Sequence, residues 1–377
     1  MNRRERLMAT LQGEAVDRPA VSFYELNGLD EDPNDPDPFN IYSDPSWRPL
    51  LNLAREKTDR IVMRGVAFKD VLPDPLDELA EVVTLEQNGC RITERTVRAG
   101  GRKLTSRTRR APDVNTVWTE EHLLKNLDDL KAFLEIPARD FVGKLDISSV
   151  LDAEAALSDS GVVMIDTPDP LCLAASLFDM GEYTVIAMTE SRLFHQLLDR
   201  FAVVLHRKTK LVSRGLPGRL WRIYGPEYAS PPYLSPQLFR EYVVKYDQPM
   251  IDSIHRHGGY ARMHSHGKLR AILDDIVSMG ADGLDPIEPP PQGDVELHYV
   301  RQRYGKELVL FGNIEVSDIE TLPTDQFAEK VKRALGEGTQ GNGRGFVLMP
   351  SACPCGRKLS ARALHNYEVM VEMAEKL

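Results

Sequence analysis

Eight short apolar runs recur along this chain of 377 residues, and helical patterns separate most of them. A strand, a crossover helix and a second strand are the signature of a parallel sheet. Eight such units favour a closed (β/α)8 TIM barrel of the α/β class. In chain order, the runs begin at Ala20, Arg60, Val162, Leu220, Tyr260, Gly283, Leu308 and Phe346.

A doubly wound open sheet is the main alternative for the same alternation. No glycine-rich phosphate loop follows the first apolar run, which weakens the nucleotide-binding form of that alternative. The length fits one large α/β domain. We therefore expect a single barrel domain over residues 1–377.

The alternation is interrupted after the second run, over about residues 80–150. Cys90–Val97 and Lys103–Thr108 have the alternating composition of an antiparallel hairpin, and a helical pattern begins at Asn126. We expect an inserted β-hairpin and helical segment between strands 2 and 3. This insertion should cover part of the barrel mouth.

Charge and composition exclude several classes of partner. The net charge of −10 argues against nucleic acid as the main partner. No apolar run is long enough to cross a bilayer, and no signal peptide precedes the first helix. Four cysteines are too few to stabilise a chain of this length through disulfide bonds, which is consistent with a reducing compartment. We expect a cytoplasmic protein that acts on a small molecule.

Two imidazoles and two thiols follow separate strands. His264 and His266 come directly after the apolar run Tyr260–Met263, and side chains two residues apart on an extended segment face the same way. Cys353 and Cys355 follow the last run. Reactive groups of such barrels gather at the carboxyl ends of the strands, and zinc prefers imidazole and thiolate ligands. These residues predict a zinc site with His264, His266 and one of the two thiols.

Other interpretations of the same residues stay open. One histidine could bond backbone while the other is solvated. Both cysteines could be buried structural residues. A catalytic cysteine–histidine pair is a further alternative.

Tyr24, Glu227 and Asp285 follow three other strands. We expect them to line the pocket as catalytic side chains. Asp285 has three interpretations: a helix cap or loop end near Pro286, a carboxylate that fixes the substrate, or a carboxylate that orients an imidazole through its second ring nitrogen.

Six short motifs occur in an order and spacing that resemble the uroporphyrinogen decarboxylase superfamily. The resemblance runs over nearly the whole chain and implies a (β/α)8 barrel. The motifs are Asp17-Arg-Pro19, Ser235-Pro-Gln-Leu-Phe239, His264-Ser-His-Gly267, Met279-Gly-Ala-Asp-Gly-Leu-Asp285, Gly312-Asn-Ile314 and Asn366-Tyr-x-x-Met370.

The superfamily contains two main chemistries. Its decarboxylases carry an Arg-Gln-Ala-Gly-Arg type of stretch after strand one, which grips the carboxylates of the substrate. This chain has Phe23-Tyr-Glu-Leu-Asn-Gly28 there, the wrong charge for a polyanionic tetrapyrrole. The aspartate that the decarboxylases carry after strand two has no clear counterpart near Asp70.

The second branch comprises corrinoid-dependent methyltransferases, whose zinc motif is His-x-Cys followed by a distant Cys. His264 matches the first ligand, and Cys353 or Cys355 matches the last, whereas His266 replaces the middle cysteine. The resemblance therefore implies Zn²⁺, a corrinoid carried by a partner protein, and a small-molecule methyl donor or thiol acceptor.

The sequence thus predicts a zinc-dependent methyltransferase that moves a methyl group between a small methylated substrate or thiol and a corrinoid protein. One alternative is a metal-free carboxy-lyase that acts on a tetrapyrrole or another carboxylated substrate. A second is a non-catalytic protein that binds a corrinoid or tetrapyrrole. A homodimer is left open as the assembly.

Overall fold

The computed structural model describes residues 1–139 and 142–377. Fourteen strands are described. They are β1 (Ala20–Val21), β2 (Arg60–Arg64), β3 (Ala67–Lys69), β4 (Ala80–Gln87), β5 (Cys90–Ala99), β6 (Arg102–Arg110), β7 (Val117–Glu121), β8 (Lys144–Asp146), β9 (Gly161–Pro168), β10 (Leu220–Tyr224), β11 (Tyr260–His264), β12 (Gly283–Asp285), β13 (Val309–Ile314) and β14 (Phe346–Pro350).

Fifteen α-helices are described, and a π-helical turn over Arg240–Val244 joins the ninth to the tenth. The helices are α1 (Arg3–Gln12), α2 (Arg48–Lys57), α3 (Pro75–Glu78), α4 (Leu127–Leu134), α5 (Ser148–Leu157), α6 (Pro170–Ala175), α7 (Met180–Thr189), α8 (Ser191–Gly215), α9 (Pro236–Phe239), α10 (Lys245–Arg256), α11 (Leu273–Ser278), α12 (Leu297–Tyr304), α13 (Val316–Thr321), α14 (Thr324–Gly338) and α15 (Ala361–Glu375). Within the described ranges, no helix has the length and apolar character needed to span a membrane.

Eight parallel strands form the central sheet, in the order β1-β14-β13-β12-β11-β10-β9-β2. Asp59 links the two strands at the ends of this order, because its backbone N donates to the Val21 carbonyl oxygen at 2.7 Å. The Val21 N donates in turn to Asp59 Oδ2 at 2.9 Å. The fold is a (β/α)8 TIM barrel, as the strand count predicts.

Helices cover the outside of the barrel and bury its apolar residues. In α8, the longest described helix, Phe194, Leu197 and Leu198 lie on the buried face. Ser235 caps α9, and Pro236 occupies its first turn, a pair of residues typical of a helix start. The strands that carry the site are thus held between a packed interior and this outer layer.

The insertion lies between β2 and β9 and begins earlier than the sequence indicates, at β3. Its core is the antiparallel sheet β4-β5-β6-β7, and β5 and β6 are the predicted hairpin. The segment after β6 contacts the loop after β14, where the Asn115 N donates to the Cys355 carbonyl oxygen at 2.7 Å. The insertion therefore reaches the carboxyl end of the barrel.

Candidate active site at the barrel mouth

His264 and Asp285 end two neighbouring strands and form the buried centre of the site. They are paired in register, and His264 Nδ1 lies 2.8 Å from Asp285 Oδ2. Arg262, two residues before His264, donates to the same carboxylate through Nε at 2.5 Å and Nη2 at 2.8 Å. Their relative exposures are 5, 0 and 1 % for His264, Asp285 and Arg262. The network fixes the imidazole in one orientation.

The charge of Asp285 is set by two opposing effects. Burial raises the pKa of its carboxyl, whereas Arg262 and His264 lower it, and the net pKa lies well below the usual value. Asp285 is therefore a carboxylate, and it can accept a proton from Nδ1 of His264.

Tyr24 follows β1 and faces His264. Its hydroxyl oxygen lies 3.4 Å from His264 Nε2 and accepts a hydrogen bond from Arg222 Nη1. Arg222 in turn donates to Asp166, through Nε at 2.6 Å and Nη2 at 3.2 Å. Burial raises the pKa of Tyr24 well above its usual value, so the phenol keeps its proton. Since Arg222 occupies an acceptor position, that proton is available to His264 or to a ligand.

His266 has its own carboxylate. Its Nδ1 lies 2.8 Å from Glu288 Oε1, and the Gly267 N donates to Oε2 of the same group at 2.8 Å. The rings of His264 and His266 are perpendicular, with centroids 4.7 Å apart. Burial lowers the pKa of His266, but Glu288 outweighs it, and the net pKa is raised. Both histidines at the barrel mouth therefore have a carboxylate next to their Nδ1 atom.

Glu227 lies in the 3-10 turn Pro226–Ala229 after β10. Its Oε2 accepts a hydrogen bond from the Gly225 N at 3.0 Å. Its charge also contributes to the raised pKa of His266. The residue borders the site, and one of its oxygens holds its own loop in place. A catalytic role for Glu227 stays a prediction.

Within the described residues, the two thiols do not complete a metal-binding cluster with the imidazoles. Hydrogen bonds pin the loop after β14 to the insertion, including the Arg357 N to the Asp113 carbonyl oxygen at 2.7 Å. Cys353 is close to Tyr42, Glu25 and Glu31. Burial raises the pKa of its thiol, and these two carboxylates raise it further. Cys355 is exposed.

Zinc fits one half of the predicted ligand set. A metal-bound histidine typically donates its other ring N–H to a carboxylate, and both His264 and His266 have that arrangement. The thiols of Cys353 and Cys355 do not form a cluster with these imidazoles. Over residues 1–139 and 142–377, no three His, Cys, Asp or Glu side chains form a group that could hold a metal ion. Zinc therefore stays a prediction, and no chemical step is derived through it.

A cleft of about 240 Å³ opens beside this network. Four carboxylates line it, those of Glu25, Asp30, Glu31 and Asp166. Arg222 also lines it, together with Tyr42 and Met63, and Asp166 pairs with that guanidinium. Asp30 is paired with Arg64 at the rim. Pairing with Arg222 and Arg64 offsets part of this negative charge, and burial raises the pKa of Glu31. Among the described residues, the lining of the cleft nevertheless contains no unpaired guanidinium or ammonium group.

Arg222 and Arg262 were not predicted as site residues. Each stands inside an apolar strand, Arg222 between Trp221 and Ile223, and the two are paired in register on β10 and β11. A charged side chain in a buried strand needs a counterion, and this need is the signal that could have identified them.

Comparison with known proteins identifies the family. The sequence model of uroporphyrinogen decarboxylase (URO-D) matches residues 163–376, more than half of the chain. The chain belongs to the uroporphyrinogen decarboxylase family. The match begins in β9 and includes every strand end discussed above except those of β1 and β2. No curated protein matches this URO-D family member.

One solved structure supports the fold. A methyltransferase from Methanosarcina mazei superposes with a TM-score of 0.61 at 17% identity, over 99% of both chains. A D-psicose 3-epimerase from Clostridium cellulolyticum H10 is 11% identical, over 60% of this chain and 82% of its own, with a TM-score of 0.35. The first similarity extends the barrel assignment to the whole URO-D family chain, and the second adds nothing to it.

Proposed function

We propose that this URO-D family protein transfers a methyl group between a small methylated compound or thiol and a corrinoid carried by a partner protein. The charge of the cleft carries the proposal. Four carboxylates and one guanidinium that is already paired line it. A polycarboxylate tetrapyrrole needs cations to hold it, so this lining disfavours the decarboxylase alternative. The methyltransferase description of the Methanosarcina mazei protein is consistent with this choice.

The described residues suit a transfer in which a heteroatom gains negative charge as its methyl group departs. Tyr24 can donate its hydroxyl proton in a hydrogen bond to that atom, because Arg222 already occupies an acceptor position of its oxygen. Asp285 holds the His264 ring in place beside it. Positioning of the two reactants in the mouth supplies much of the remaining acceleration.

Zinc on His264, His266 and one thiol of Cys353 or Cys355 is a further part of the proposal. Bound there, the ion would supply Lewis-acid chemistry toward the heteroatom or an accepting thiol. The loop after β14 would first have to leave its hydrogen bonds to Asp113 and Asn115. The steps assigned to Tyr24 and Asp285 do not depend on the ion.

The activity test uses a methylated corrinoid protein and a panel of thiols, methyl ethers and methylamines. We expect demethylation or methylation of the corrinoid with at least one member of the panel. The absorption spectrum of the corrinoid is the readout. Glu329 is an exposed residue on α14, and the Glu329→Gln variant serves as the control, with activity expected to equal that of the native protein. Turnover of uroporphyrinogen without metal or corrinoid would instead establish the carboxy-lyase. Corrinoid binding without any transfer would establish the non-catalytic alternative.

The metal test uses protein purified without a histidine tag. We expect zinc close to one ion per chain, with loss of metal in a His264→Ala/His266→Ala variant and in a Cys353→Ser/Cys355→Ser variant. Retention in the second variant alone would assign the site to imidazoles and carboxylates. Absence of zinc from the native protein would remove the metal from the proposal.

A further inference from the structure

Strand β4, at one edge of the inserted sheet, has no neighbour on its outer side. Within the described part of the chain it pairs with β5 alone, in the sheet order β4-β5-β6-β7. Seven of its eight residues are exposed. Three of these are apolar, namely Val82, Val83 and Leu85, which are 58, 46 and 37 % exposed. The edge therefore presents unpaired backbone groups together with apolar side chains on both faces of the sheet.

The sequence of β4 does not block the addition of a further strand. A charged residue at the centre of an edge strand, a proline or a β-bulge often prevents such pairing. In β4 the charged residues Glu81 and Glu86 lie near the two ends, and the register with β5 runs without a bulge from Ala80 to Gln87. The opposite edge, β7, has five residues, and a bulge interrupts its register with β6. Of the two edges, β4 is therefore the one that is open to pairing.

The turn after β4 determines which backbone groups are free. Asn88 and Gly89 have φ values of +52° and +72°, and they form a two-residue turn between Gln87 and Cys90. Such a turn makes Gln87 and Cys90 a hydrogen-bonded pair, and hydrogen-bonded pairs recur at every second residue from there. Odd-numbered residues of β4 therefore direct their N–H and C=O groups to β5, whereas Thr84 and the other even-numbered residues direct theirs outward.

We propose that β4 pairs antiparallel with β4 of a second copy of this chain, with Thr84 on the two-fold axis. The two inserted sheets then form one sheet of eight strands. An antiparallel pair of identical strands is closed by its two-fold symmetry, so the assembly is a dimer. Pairing of β4 with β7 of another copy would instead repeat from chain to chain and give open-ended fibres.

The uncharged side chains fit one another in this register. Val83 lies opposite Leu85 of the second copy, and the symmetry repeats this apolar contact on the other side of the axis. Thr84 lies opposite its own counterpart. Its hydroxyl oxygen is 3.2 Å from that of Thr93 on β5, so four threonines form a row across the axis. Apolar pairs and threonine pairs of this kind stabilise neighbouring strands.

The charged residues of β4 also fit this register. With Thr84 on the axis, Glu81 lies opposite Gln87 of the second copy. Glu86 lies opposite Val82 of the second copy. No two carboxylates are therefore directly opposite each other, an arrangement that would destabilise the strand pair.

A register centred on Val83 fits less well. It preserves the outward hydrogen bonds, because even-numbered residues again face each other. It places Glu81 opposite Leu85 of the second copy, however, and the symmetry repeats this mismatch. The charge next to an apolar side chain loses solvation without gaining a partner. Thr84 is therefore the residue that we place on the axis.

Sedimentation equilibrium of the full chain tests the dimer. One short strand pair is a small interface, so we expect a reversible dimer that dissociates in the micromolar range. Thr84→Lys places two ammonium groups next to each other on the axis and should raise the dissociation constant at least about a hundredfold. Thr119→Lys, the same change at an exposed position of β7, is the matched control and should dimerise like the native protein.

The effect of salt separates charge repulsion from loss of the fold. Added salt screens the introduced ammonium groups, so it should partly restore the dimer of Thr84→Lys. A native chain that stays monomeric up to the millimolar range would overturn the proposal. A dimer that Thr84→Lys leaves unchanged, or native oligomers that grow beyond two chains, would overturn it as well.

Oxidative cross-linking provides a second measurement, should Thr84→Lys fail to fold. The Cα atoms of a hydrogen-bonded antiparallel pair lie about 5.5 Å apart, a separation that suits a disulfide. We expect Thr84→Cys to form a disulfide between the two introduced thiols, identified by mass spectrometry of the linked peptides, and Thr119→Cys to form none. Absence of the linked peptide from Thr84→Cys would overturn the proposal. None of these measurements depends on the proposed methyl transfer.

Discussion

Tyr24 and His264 face each other across the barrel mouth, with nearly parallel rings whose centroids are 5.5 Å apart. They are 240 residues apart in the chain. Their strands, β1 and β11, are separated in the sheet by β12, β13 and β14. The contact therefore depends on closure of the barrel, and it joins the first strand end to the histidine motif.

Replacement Tyr24→Phe tests the hydroxyl in that contact. We expect kcat/KM for methyl transfer to fall about tenfold to a hundredfold, since the donor to the developing charge is lost. The matched control is Tyr299→Phe. Tyr299 lies on the outer helix α12, and the Arg270 guanidinium stacks over its ring. Steady-state kinetics check this, and a variant with native kcat/KM would exclude Tyr24 from the reaction.

Replacement Asp285→Asn should destabilise the fold strongly. The carboxylate neutralises Arg262 and also orients His264 in a site from which water is excluded. Loss of one partner of a buried ion pair costs about 3–5 kcal/mol. Urea unfolding measures this loss, with the exposed Glu329→Gln as control. A change below about 1 kcal/mol would show that Arg262 finds another partner.

The titration of His266 should report its contact with Glu288. Its pKa is raised above 6.5 despite burial, because Glu288 stabilises the imidazolium. The stabilising ion pair is therefore fully present below about pH 6.5, down to the pH at which Glu288 becomes protonated, and it is lost as the pH rises through the folded pKa of His266. NMR of the ring protons should show the pKa falling in Glu288→Gln. Glu368→Gln, beside His365, should leave it unchanged.

The two thiols should differ in reactivity. Cys355 is exposed, whereas burial raises the pKa of the Cys353 thiol and lowers its thiolate fraction. We expect iodoacetamide to label Cys355 at least about a hundredfold faster than Cys353 in the folded chain, measured by peptide mass spectrometry. Equal rates would place Cys353 in a different environment, such as one rearranged around zinc.

The strands were predictable because buried parallel strands are apolar runs. Six of the eight barrel strands begin at the predicted residue, and the other two begin within one residue of it. Strand β4 was missed, because nearly all of it is exposed on both faces and its sequence lacks the alternation of a half-buried strand. The early part of the insertion was missed for the same reason.

The sequence could predict which residues lie at each strand end, but not how the loops between them are oriented. Barrel topology places Tyr24, His264 and Asp285 at one mouth, so a list of strand ends finds them. The orientation of the loop after β14 depends on hydrogen bonds to Asp113 and Asn115 in the insertion. These are long-range contacts that no local pattern encodes, and for that reason the position of the two thiols could not be predicted from the sequence.

The two arginine–aspartate pairs inside the barrel restrict how this sequence can diverge. A single change at Arg222 or Asp166, or at Arg262 or Asp285, leaves one charge stranded in the interior, so such positions can only be exchanged as pairs. An exposed rim residue such as Cys355 has no such constraint. Substrate preference can therefore change through substitutions at the rim, while the two arginine–aspartate pairs below it stay the same.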